Sequence, residues 1–148
     1  MNVEEIIKTS QKMPLETRTL IHITLIHNKI YEQVGNALKP FEVSLQQFNV
    51  LRILRGQKGQ PANLSTLNER MVTKMSNTTR LVDKLLAKGY VDRSVCPSNR
   101  RKVEILITKS GSEVLSKMDK VVAEAEHDIV QHFTKQELEQ LNLLLDKF

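Results

Sequence analysis

The chain has 148 residues, 40% hydrophobic and 26% charged, with a net charge of +5. That length suits one domain with a real core, and 4% aromatic content without Trp favours helices packed by Leu, Ile, Val and Met over a β-sandwich. No apolar run approaches the roughly 18–20 residues of a membrane span, and the single Cys96 excludes an intrachain disulfide and a cysteine-rich zinc site.

The start, "MNVEEIIKTSQK", lacks the basic end and apolar stretch of a signal peptide. A soluble cytoplasmic protein with no membrane association is expected. Pro14 is placed for N1 of a long helix running to about Leu38. Leu20, Ile21, Ile23, Leu25, Ile26, Ile30, Val34 and Leu38 spread wider than one stripe, so that helix should be buried on more than one side. The spare side could meet the C-terminal helices or another subunit.

"KPFEVS" interrupts the pattern, and Ser44 with Gln47 forms an S-x-x-Q capping box. Leu45, Phe48, Leu51 and Leu54 follow at helical spacing, Gly56 ends the helix and "GQKGQPAN" is a loop. Asn63 or Ser65 can cap a short helix carrying Leu64, Leu67 and Met71. After a tight connection, "VTK", comes "MSNTTRLVDKLLAKGYV". Thr78, Leu81, Val82, Leu85 and Leu86 share one helical face; Asn77, Arg80, Lys84 and Lys88 share another. Gly89 is placed to terminate this helix as its C′ residue.

"YVDRSVC" and "KVEILIT" read as two short strands, joined by "PSNRR" as a positively charged hairpin tip. After Gly111 a long helix is expected from Val114 to Phe133. Thr134 and Glu137 form a second capping box, and Leu138, Leu141, Leu144, Leu145 and Phe148 finish an amphipathic helix. The predicted order is four helices, two strands, two helices.

Charge is unevenly placed. From Arg70 to Lys102 nine basic residues face two acidic ones, a balance of +7, while the segment from Glu113 onward balances to −4. A basic middle beside an acidic tail points to a local polyanion site, or to an ordinary solvated face. Two short helices with a tight turn, followed by a basic hairpin, make a winged helix-turn-helix. Its second helix must meet base edges in the major groove with its N-terminal residues. Capping alone calls for one or two of the small polar residues gathered there. Ser76, Asn77 and Thr79 can hydrogen-bond bases or phosphates, and Arg80 has the planar fork for guanine or phosphate. Lys74 adds charge beside them, and Lys84 and Lys88 would lie nearer the sugar–phosphate wall. Arg100 and Arg101 can enter the minor groove from the hairpin tip.

Two stretches, "TRLVDKLLAKGYVDR" and "NRRKVEILITKSG", resemble the recognition helix and wing of the MarR family of bacterial transcriptional regulators. The second follows the wing pattern D-x-R-x-x-x-V-x-L-T-x-x-G. The resemblance extends over nearly the whole chain. Asn99 stands where the family usually has Asp, and Ile107 where it has Leu; Arg101 matches the wing-tip arginine, with Arg100 beside it. The resemblance implies a mainly α fold with a small β-wing. It also implies one domain over 1–148, with a winged helix-turn-helix at about 44–110 and dimerisation helices at about 10–38 and 111–148. It implies a homodimer on double-stranded DNA at a pseudo-palindromic operator, acting as a repressor. A small aromatic anionic ligand, bound between the dimer helices and the DNA-binding lobe as in many relatives, would release it. No cysteine lies in the first helix, which counts against oxidant sensing.

Other readings carry less. His22 and His27, like His127 and His132, are five apart, whereas helical metal pairs favour i, i+4. No nucleophile elbow, phosphate loop or paired-carboxylate signature is present, so neither enzyme chemistry nor a metal or other cofactor is expected. Met13, Met71, Met75 and Met118 read as packing. Two alternatives stay open: a winged-helix module for protein contacts, and a small-molecule sensor without strong DNA affinity.

Overall fold

One core draws on the chain from Val34 to Val122: Leu38, Phe48, Leu51, Leu54, Leu67, Val82, Leu85, Ile105, Leu115 and Met118 are buried together. The computed structural model describes residues 1–72, 77–96 and 99–148. Its helices are α1 (Val3–Ile6), α2 (Leu15–Leu38), α3 (Leu45–Gly56), α4 (Leu64–Arg70), α5 (Thr78–Ala87), α6 (Lys109–Val130) and α7 (Lys135–Leu145). Strands β1 (Val91–Cys96) and β2 (Asn99–Ile107) pair antiparallel, and a 3-10 turn at Lys39–Phe41 links α2 to α3.

The short α1 is new relative to the sequence reading, because four residues are too few to show a period. Arg18 of α2 holds it through a forked ion pair to Glu4, with Nε to Oε1 at 2.7 Å and the second arm at 3.2 Å. Pro14 stands one place earlier than expected. Its ψ of 144° is extended, so it is the N-cap and Leu15 opens the helix. The capping box of Ser44 and Gln47 is present in full. So is the box of Thr134 and Glu137. Asn63, rather than Ser65, caps α4, accepting from the Thr66 N–H at 2.9 Å.

Gly89 ends α5 with φ +69°. Its N–H donates to the Leu86 carbonyl at 2.9 Å and the Tyr90 N–H to the Leu85 carbonyl at 3.0 Å, the two bonds of a Schellman cap. That turn aims β1 back over the helix. Thr108 then accepts from the Gly111 N–H at 2.9 Å and donates to the Gly89 carbonyl at 2.8 Å, so α6 begins at Lys109. Gly111 therefore lies inside the first turn of α6, not before the helix. It is needed there for close approach, since a Cβ would fall 2.0 Å from the Tyr90 carbonyl oxygen.

Ala62 joins the sheet edge by two backbone bonds to Ile105, at 2.8 and 3.0 Å. β2 also starts earlier than the spacing of β-branched residues suggests. The ladder runs regularly from Val91↔Ile107 to Val95↔Val103, then jumps to Cys96↔Asn99. Residues 100–102 thus lack an opposite number on β1, a bulge at the end of the wing. Only Pro97 and Ser98 separate the strands, so Asn99, Arg100 and Arg101 belong to β2 rather than to a five-residue tip.

α6 packs along α2 and reaches α3, where the Arg55 guanidinium forks onto the Asp119 carboxylate. The outer face of α2 stays bare, with Leu20 58%, Ile26 45% and Ile30 40% exposed. α7 buries none of its residues; Leu141, Leu143, Leu144 and Leu145 are exposed, and Phe148 lies beyond the helix end. No helix among the described residues is long and apolar enough to cross a membrane.

Candidate nucleic-acid interface

α5 divides along its length. Thr78, Val82 and Leu85 are buried against α3 and α4, with Leu81 and Leu86 partly buried beside them. Asn77, Thr79, Arg80, Asp83 and Lys84 are exposed. This is the division that the helical period predicts.

Asn77 occupies the N-cap position, yet its side chain makes no capping hydrogen bond. Its carbonyl accepts from the Leu81 N–H at 3.3 Å. The Asn77 amide, the Thr79 hydroxyl and the Arg80 guanidinium are therefore presented together on the first turn. The helix end also offers backbone N–H groups and the positive end of its dipole. Such a surface suits phosphates and base edges.

The turn is held from behind. The Thr78 hydroxyl donates to the Asn68 side-chain oxygen of α4, locking the two helices of the motif to each other. The sequence reading placed Thr78 on the apolar face but did not find Asn68. A buried hydroxyl signals that some partner exists; only the fold says which.

Two further contacts change the electrostatics. Arg93 Nη1 of β1 bonds Asp83 Oδ1 at 2.5 Å, so the one acid on the exposed face of α5 is balanced by the wing. Lys88 pairs with Glu42 at 3.0 Å, so its charge is shared with a carboxylate in the single chain. Lys88 is the C-cap residue of α5, next to Glu42 between α2 and α3, while Arg80 and Lys84 stay exposed. Lys74 and Ser76 lie outside the described residues. For Arg100 and Arg101 the backbone is in β2 at the bulge, and their side chains lie outside the described set. Among the described residues no group of three or more His, Cys, Asp and Glu is placed to hold a metal ion.

A helix-turn-helix with an exposed polar N-terminal turn and a β-wing beside it defines a winged-helix DNA-binding protein. The MarR family model matches residues 43–103, from just before α3 into β2. The regulator PecS of Dickeya dadantii is 27% identical over 132 residues, which span 87% of this chain and 76% of PecS. A MarR-like transcription regulator from Bacillus cereus superposes with a TM-score of 0.81 at 26% identity, over 90% of this chain and 96% of that one. A cysteine-to-serine mutant of Escherichia coli MarR complexed with operator DNA superposes with a TM-score of 0.76 at 22% identity, over 99% and 98% of the two chains. Over residues 43–103 the chain is similar to the MarR family, and its winged helix is that of a DNA-binding transcriptional regulator rather than an enzyme.

Proposed function

We propose that two copies of this chain pair through α2 and α7, bind a pseudo-palindromic operator in the cytoplasm and repress transcription from it. The observation that carries the DNA reading is the first turn of α5: Asn77, Thr79 and Arg80 exposed, on a helix whose other face is buried. Lys84 extends the same face toward the backbone. Lys74 and Ser76 precede it in the sequence, and Arg100 and Arg101 supply positive charge on the wing.

Pairing is supported by the bare apolar surfaces. An isolated eleven-residue helix such as α7 is marginal in water, and its leucines are left without cover in the single chain. A twofold partner covering α7 and the outer face of α2 would repeat the DNA-binding lobe by symmetry. Two α5 helices would then address two half-sites about one DNA turn apart. The whole chain, 1–148, is read as one domain, with winged helix at about 44–110 and pairing helices at about 10–38 and 111–148. The family resemblance extends the reading to release by a small aromatic anionic compound.

Selection of bound fragments from genomic DNA tests the proposal, because it returns the site and its symmetry together. Enriched inverted repeats, with affinity that falls steeply from low to moderate salt, are expected. Half-sites without symmetry, or no enrichment, would overturn it. A protein-contact module would instead show a weak salt response and no enriched DNA.

A further inference from the structure

Thr78 opens α5 with its side chain buried, the residue being 4% exposed. A hydroxyl at that depth needs an acceptor for its hydrogen. Among the described residues it finds one, Asn68 Oδ1 of α4, ten positions back. That bond fixes which way the Asn68 amide is turned. The opposite orientation would set N–H donors against the hydroxyl oxygen and leave the hydroxyl hydrogen without an acceptor.

With Oδ1 turned to α5, the Nδ2 donors of Asn68 are left for solvent. Asn68 is exposed, as are Asn77, Thr79 and Arg80 on the turn that it touches. Its neighbours on α4 are engaged elsewhere. Asn63, the cap, accepts from the Thr66 N–H at 2.9 Å and from the Thr66 hydroxyl at 3.3 Å. Ser65 donates to Glu69 at 3.0 Å, which draws the one acid of α4 along its own helix. Arg70 lines a groove shared with Asn49 and Arg52 of α3. In a helix-turn-helix on DNA the second helix lies in the major groove and the first crosses the backbone. Asn68 stands at that crossing, on the first helix and in contact with the opening turn of the second.

We propose, on the DNA-binding reading of α5, that Asn68 has two tasks in the interface. Its Oδ1 holds the first turn of α5 through Thr78, and its Nδ2 donates to a phosphate oxygen at the edge of the groove that α5 enters. Asparagine amides are among the donors that fix a protein's register on the backbone without reading sequence. One side chain thereby ties the placement of Asn77, Thr79 and Arg80 to a point on the DNA backbone. Asn68 touches the nucleic acid; Thr78 acts through it and is a positioning residue.

The test uses the full chain and the most enriched genomic fragment, made as a duplex and remade with single methylphosphonates across one half-site. Each methylphosphonate removes one phosphate charge. Asn68→Asp keeps an oxygen for Thr78 but sets a carboxylate against the backbone. It should weaken binding to the unmodified duplex by about tenfold or more, with unchanged melting temperature. Most of that loss should be recovered when one particular phosphate is neutralised. In Asn68→Ala the same methylphosphonate should cost nothing further, while the others cost what they cost the wild type. Asn68→Ala should also lower the melting temperature, because it leaves the buried Thr78 hydroxyl without an acceptor. Thr78→Val should erase the sensitivity at that phosphate although Asn68 remains, and Thr78→Ser, which keeps the hydroxyl, should preserve it. Wild-type affinity in Asn68→Asp, or a loss that is the same whichever phosphate is neutralised, overturns the contact. A melting temperature lowered as much by Asn68→Asp as by Asn68→Ala overturns the assigned amide orientation. A chain that enriches no DNA sinks the DNA-binding reading and the contact with it; enriched DNA in which no phosphate is singled out through Asn68 sinks the contact alone.

Discussion

Arg93 on the first wing strand holds Asp83 on the exposed face of α5, with Nη1 to Oδ1 at 2.5 Å. The pair couples the wing to the helix that addresses DNA, and it masks a carboxylate that would otherwise face phosphates. Both side chains are well exposed, so its direct contribution to stability is about 1 kcal/mol at most. Arg93→Ala should reduce operator affinity while barely moving the melting temperature. Adding Asp83→Asn should restore part of the affinity by removing the uncovered charge. No restoration in the double variant would mean that Arg93 acts on DNA directly.

Arg80 and Arg101 should fail differently. Arg80→Ala is expected to weaken specific binding by about 1–3 kcal/mol if the fork meets a base edge. In a panel of single-base operator variants, preference at one position should relax; full retention of preference would make Arg80 a backbone contact. Arg101→Ala should weaken operator binding with little effect on thermal stability. Matching loss of folding would assign Arg101 a structural role.

Charges placed on the bare apolar faces should separate subunits. Ile26 is 45% and Leu144 52% exposed in the single chain, so glutamate at either position costs little in an isolated subunit. In a pair it would be buried without a partner. Sedimentation velocity should show Ile26→Glu and Leu144→Glu shifted toward monomer, with operator binding reduced in parallel. A wild-type chain already monomeric at micromolar concentration would refute the paired half-site model.

Glycines at two helical positions predict opposite signs. Gly111→Ala drives a methyl to 2.0 Å from the Tyr90 carbonyl oxygen, where only backbone movement can relieve it. A loss of about 1–3 kcal/mol or more is expected. At Gly35, inside α2, nothing lies within 4 Å of an added Cβ. Gly35→Ala should raise stability by about 0.4–1 kcal/mol. Denaturant unfolding of both variants measures the contrast.

Acid should loosen the N-terminal cap of α7. The Thr134 backbone N–H, donating to Glu137 at 2.7 Å, holds that carboxyl below its ordinary value, with the Thr134 hydroxyl adding to it. A lowered folded-state value means that the contribution is complete above the unfolded carboxylate range and is lost as pH falls through the folded one. Glu137→Gln keeps a capping acceptor but cannot titrate. NMR of the Thr134 amide should show an acid transition in wild type that is missing in the variant.

How far the fold could be read in advance depended on the range of the interaction. Ser44 with Gln47, Thr134 with Glu137, and Gly89 after α5 act within one turn, and each stands where its spacing puts it. The split of α5 into buried Thr78, Val82 and Leu85 and exposed Asn77, Thr79 and Arg80 follows from the 3.6-residue period alone. The start of β2 did not follow from spacing, because the jump from Val95↔Val103 to Cys96↔Asn99 is set by the partner strand. Lys88 shared a helical face with Arg80 in sequence but found Glu42 in space.

What the order of residues determined by itself is the set of local elements, their caps, and which side of each helix is apolar, since these depend on neighbours within a turn. What only the tertiary structure decided is how those elements face one another. Asp83 is neutralised by Arg93 ten positions on, and Arg55 is clamped to Asp119 sixty-four positions on. Coulomb attraction and steric contact act on distance in space, and that distance exists only once the chain has closed around Phe48 and Leu51.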